Sequence, residues 1–124
     1  MGYRSDVTIM LQPKAYKMVM DSINEFNKKQ TNGYRFVPYE DLSNPDGEHI
    51  IKWSGVKWNA GFKDVQSVTN VLRELCNEHE EEDGYGYKCI QVGEDGAIEE
   101  GTNNWDWGSD MYALTTIEYP GDFK

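Results

Sequence analysis

The chain has 124 residues, 38% of them hydrophobic and 16 of them aromatic (4 Trp, 8 Tyr and 4 Phe), with a net charge of −10. That length serves one domain with its own core, and that aromatic content argues against a disordered chain. No apolar run approaches the ~20 residues that cross a bilayer, and Arg4 followed by Asp6 is not a leader pattern, so an intracellular protein without membrane contact is expected.

Residues 3–11, YRSDVTIML, alternate with a period of two and predict a strand. Tyr3, Ser5, Val7, Ile9 and Leu11 share one side; Arg4, Asp6, Thr8 and Met10 share the other. Pro13 then suits the first turn of a helix, and Tyr16, Val19, Met20, Ile23 and Phe26 recur at helical spacing. Gly33 is a plausible stop. YRFVPY, 34–39, predicts a short strand that Pro38 confines to an edge, where it offers a homodimer contact between two copies. SNPDGE, 43–48, is turn-rich, and HIIKWSGVKW, 49–58, predicts a strand bent at Gly55.

A second helix fits 62–77, with Phe62, Val65, Val68, Leu72, Leu75 and Cys76 on one face, and EHEEEDGYG, 78–86, ends it. YKCIQV, 87–92, turns through GEDG into AIEE, 97–100, as a hairpin. Residues 101–110 predict a loop and MYALTTIEY, 111–119, a final strand. The expected fold is one α+β domain over residues 1–124: an antiparallel or mixed sheet with two helices on one face, ferredoxin-like βαββαβ with an added C-terminal hairpin.

The charge is unevenly spread. Residues 1–77 hold 10 basic and 9 acidic residues, a net of +1, and residues 78–124 hold 2 basic and 13 acidic, a net of −11. The acidic part argues against direct nucleic-acid binding there and fits either simple solubility or a basic partner. Arg4 and Asp6, about 7 Å apart along one side of a strand, read as a modest surface pair, as a clamp that anchors the strand against the C-terminal loop, or as a ligand contact by Arg4. Cys76 and Cys89 have no CxxC neighbour and read as small core residues. His49 and His79 have no local nucleophile or GxSxG context and read as ordinary surface residues. No phosphate loop or calcium loop occurs, so no cofactor and no metal are expected. Trp53 and Trp58 fit the core or a sheet edge, whereas Trp105 and Trp107 fit a recognition patch beside acids or a loop that folds back over both rings.

The opening MGYRSDV, the segment Trp53 through Trp58 before the second helix, and the segment Val92 through Glu99 together resemble a family of short proteins encoded by bacteriophages and prophages. The resemblance spans most of the chain, and its opening heptapeptide is its specific part. It implies an accessory protein in the bacterial host cytoplasm and transfers no catalytic residue. The leading expectation is therefore a non-enzymatic protein that binds and inhibits a bacterial host or defence protein, of CRISPR type or another nucleic-acid handler. Its contact surface would comprise Glu80, Glu81, Glu82, Asp83, Trp105, Asp106, Trp107 and Asp110. The alternative is a protein that sequesters a nucleotide-like signal, with Arg4, Arg35, Lys52 and Lys57 as the candidate phosphate donors. A small hydrolase is the third reading.

Overall fold

The computed structural model describes residues 4–103, 111–113 and 117–123. The first strand, β1 (Ser5–Leu11), leads into α1 (Pro13–Lys28), and β2 (Glu40–Ser43) and β3 (His49–Val56) follow. Next come α2 (Lys63–Glu78), β4 (Tyr87–Gly93) and β5 (Ile98–Thr102), and two short strands close the chain, β6 (Tyr112–Ala113) and β7 (Ile117–Glu118). Five strands form one antiparallel sheet in the order β2-β3-β1-β4-β5, and β6 pairs with β7 separately.

Both helices are amphipathic, and both bury their apolar stripe on the same sheet face. Ala15, Val19 and Ile23 of α1 and Val68, Leu72 and Leu75 of α2 pack with Val7, Ile9, Leu11, Ile51 and Trp53. Each fully buried aliphatic side chain here is worth roughly 1.5–3 kcal/mol. The opposite face is covered as well. Met10, Ile50, Ile90 and Val92 pack with Met111 and Phe123, and Leu42, Ile117 and Tyr119 flank them. Thr8 and Met10, on the outward side of the first strand, are therefore buried, while Asp6 on that side stays exposed.

Three sequence expectations need correction. Residues 34–39 do not form a strand; the edge strand is β2, which follows them. The reason is Asn27: its Oδ1 accepts the Phe36 N–H at 2.8 Å and its Nδ2 donates to the Phe36 carbonyl at 3.0 Å. Both backbone groups that would enter a ladder at Phe36 go to one buried side chain, and Pro38 has no N–H to give. The strand pairing suggested for a homodimer thus has no strand at 34–39. The segment 111–119 is not one strand either, because Tyr112–Ala113 pairs back on Ile117–Glu118 to lie across the sheet's second face. Finally, α1 ends at Lys28 and not near Gly33, which lies in the following bend with φ +80°.

Candidate functional site

The opening Arg4 and Asp6 are both engaged with β3. The register steps from Val7 opposite Trp53 to Ser5 opposite Val56, which leaves Ser54 and Gly55 facing Asp6 as a bulge. Gly55 has φ +60°, a conformation that costs other residues. Its N–H donates to Asp6 Oδ1 at 2.9 Å, and its carbonyl accepts from Arg4 Nη1 at 2.7 Å. The pair is an anchor, but these side-chain bonds go to β3 and not to the C-terminal loop expected from the sequence.

That clamp holds one wall of a cavity of about 420 Å³. Its cations are Arg4, Arg35 and Lys57. Its rings are Tyr34, Tyr39, Trp58 and Phe62, and its floor holds Phe36, Trp53 and Val65. Three of the four basic residues singled out in the sequence thus meet in one place. Lys52 does not join them. It alternates to the other sheet face, where its ammonium lies 3.7 Å from Glu40 and 4.7 Å from the centre of the Tyr119 ring.

Tyr34, Val37, Tyr39 and Phe62 are 43%, 55%, 64% and 45% exposed. Among the described residues, the one other large apolar side chain so exposed is Ile98. A cluster of exposed rings and cations in one concavity is unusual for an inert surface. None of the three cations forms an ion pair among the described residues. The single carboxylate of the wall among the described residues, Asp64, is occupied by the Tyr34 hydroxyl at 2.7 Å and the Val65 N–H at 2.8 Å. Burial, followed by that Asp64 contact, pushes the Tyr34 phenol up to about 12. Beneath the rim, Phe36 stacks on Trp53 at 5.2 Å, and Trp58 tilts against Trp53 at 5.1 Å. Such pairs add about 0.5–1.5 kcal/mol each beyond area burial and stiffen the floor.

The acidic loop lies at the other end of α2. Glu80, Glu81, Glu82 and Asp83 are all exposed. Their backbone is nevertheless held on two sides. Gly84 accepts the Lys14 and Ala15 N–H groups at 2.9 and 3.1 Å, which gives the uncapped start of α1 its acceptor. Buried Asn103 donates to the Tyr85 and Leu75 carbonyls at 2.9 and 3.2 Å and accepts the Tyr87 N–H at 2.8 Å. Trp105, Asp106, Trp107 and Asp110 lie outside the described residues.

Sequence reasoning missed what both histidines do. His49 Nδ1 lies 2.7 Å from Asp41 Oδ1, and its ring stacks on Tyr16 at 3.5 Å. The Tyr16 hydroxyl donates to the other Asp41 oxygen. His79 Nδ1 lies 2.8 Å from Glu82, and its ring stacks on Tyr85 at 4.0 Å. Each histidine thus has the orienting carboxylate that a relay requires. The nearby hydroxyl, on Tyr16, is itself bonded to that carboxylate, and burial with Asp41 pushes it up to about 12, far from a poised nucleophile. One cluster staples α1, β2 and β3 together, and the other holds the acidic loop. The two thiols are free, and Cys76 Sγ sits 3.0 Å from the Tyr87 hydroxyl. No cluster of His, Cys, Asp or Glu that could hold a metal occurs among the described residues, and no described helix is long and apolar enough to cross a membrane.

In comparisons with known proteins, no family model, no curated protein and no solved structure matches this chain.

Proposed function

We propose that this chain is a binding protein and not a catalyst, and that it holds an anionic, ring-bearing ligand of nucleotide class in the concavity beside β3. The observation that carries this reading is the meeting of Arg4, Arg35 and Lys57 with the exposed rings of Tyr34, Tyr39 and Phe62 in a cavity of about 420 Å³. Cations take phosphate, and rings take a flat base. The volume fits one small ligand. A long polyanion is disfavoured, because the molecule as a whole carries −10. Titration calorimetry with the four common nucleoside monophosphates and triphosphates tests the reading. Saturable binding that Arg35→Glu abolishes supports it; no heat with any of them overturns it.

A second reading keeps the acidic surface as the contact: a phage accessory protein in the host cytoplasm that inhibits a bacterial host or defence protein. The observation favouring it is that Glu80, Glu81, Glu82 and Asp83 stand exposed on a loop fixed by Gly84 and Asn103, so their charge is pre-positioned. Capture of a host protein from bacterial lysate at low salt, released at high salt and lost when these four residues are neutralised, supports it. Capture insensitive to both overturns it. The ferredoxin-like reading of the fold draws support from the order β2-β3-β1-β4 within the sheet, with β3 lying between and antiparallel to β1 and β2.

A further inference from the structure

Trp53 lies in the floor of the concavity and is 2% exposed, yet its indole Nε1 has no hydrogen-bond partner among the described residues. A buried N–H without an acceptor is costly and rare. The three cations, by contrast, are all on exposed residues at the mouth. A phosphate pushed down among Phe36, Trp53 and Val65 would lose its water without reaching a counter-charge. The phosphate therefore belongs at the mouth, and the deep end takes an uncharged acceptor.

We infer that the ligand enters base first, with a ring nitrogen or carbonyl of a nucleobase accepting the Trp53 indole N–H and the phosphate held at the rim by Arg35 and Lys57. This rests on the nucleotide-class reading above and makes Trp53 the residue that recognises the base edge. The N–H is covered in the free protein, so a neighbouring side chain must give way. The Phe36 ring is itself buried and sits on a pinned backbone, because Asn27 holds both the Phe36 N–H and the Phe36 carbonyl. Trp58 is the ring that moves: it is only half-buried, follows the end of β3, and lies tilted by 48° against Trp53.

The test is an indole ¹H–¹⁵N spectrum of the whole wild-type protein, titrated separately with each of four nucleoside monophosphates and with inorganic phosphate. The Trp53 signal is assigned by through-bond correlation to its own backbone in the wild-type protein. A monophosphate that binds is expected to move that signal downfield and slow its exchange, whereas inorganic phosphate leaves it in place. A bound monophosphate with the Trp53 signal unmoved overturns this inference and leaves the concavity reading standing. An equal shift with inorganic phosphate overturns it too, because the anion would then be the deep group. No binding by any of the four overturns both. As a second readout, Trp53→Phe keeps a ring and removes the donor, so it is expected to weaken the monophosphate about tenfold with inorganic phosphate unchanged. Equal affinity in a folded variant contradicts the inference, and should the variant not fold, the wild-type spectrum decides alone.

Discussion

The two ends of α2 meet opposite chemistries. Its first residues line a cavity with three cations and several exposed rings, and its last residue leads into four consecutive exposed carboxylates. A helix of 16 residues separates them by about 24 Å, more than two Debye lengths in physiological salt. The helix dipole adds to the contrast, positive toward the cavity and negative toward the acids. Acids crowded at a helix C-terminus are unfavourable there, and the chain offsets this by tying the loop down through Gly84 and Asn103. The cavity is held by different means: a bulge clamped by Arg4 and Asp6, a strap pinned by Asn27, and stacked rings. Two surfaces of opposite charge can therefore be changed independently.

The largest expected effect is on the acidic end. Asn103→Ala leaves the Tyr87 N–H and the Tyr85 carbonyl without their partner and the Leu75 carbonyl with the His79 N–H alone, at a cost of about 2–4 kcal/mol in denaturant unfolding. The folded fraction is expected to bind nucleotide as before; lost binding in folded protein would mean that the two ends are coupled. Next comes the double variant Arg35→Glu with Lys57→Glu. It is expected to weaken nucleotide binding at least a hundredfold in calorimetry with little change in melting temperature. Neutralising Glu80, Glu81, Glu82 and Asp83 together is expected to change that affinity less than twofold.

A smaller effect is expected at the bulge. Gly55→Ala forces a side chain into φ +60° at a cost of about 1–2 kcal/mol, although nothing lies within 4 Å of the new Cβ. A neutral result would show that the bulge can relax. The smallest effect concerns pH. The Tyr16 and Tyr34 phenols are raised from 10.0 to about 12, by burial first and then by Asp41 and Asp64 respectively. Their contribution to stability is present below pH 10 and falls away between pH 10 and 12, because the unfolded chain releases these protons first. Replacing both by Phe is expected to flatten that decline in denaturant unfolding; an unchanged slope would place the alkaline sensitivity elsewhere.

Much of the fold was legible because its signals are local. The alternation Val7, Ile9, Leu11, the helical spacing of Val19 and Ile23, and the turn after Gly93 each mark an element without reference to the rest. Residues 34–39 misled because Asn27, seven positions before the segment, takes the backbone groups of Phe36, and no local pattern reports such a capture. The C-terminal segment misled for a related reason: Met111 and Phe123 are drawn to Met10, Ile50 and Ile90, a face whose burial is set by the whole sheet. For the site, residue types were readable and their meeting was not. Arg4, Arg35 and Lys57 were candidates by charge alone, and Lys52 was an equal candidate until the alternation of β3 turned it to the other face. The exposed rings of Tyr39 and Phe62 carried no sequence signal, since exposure is a property of packing.

The most direct test of the account is a backbone amide chemical-shift map of the full chain titrated with a nucleoside monophosphate. The predicted result is perturbation confined to Arg4 and residues 34–39, 53–58 and 62–65, with 79–86 unmoved. Shifts centred on 79–86, or no shifts at a millimolar concentration, would contradict it.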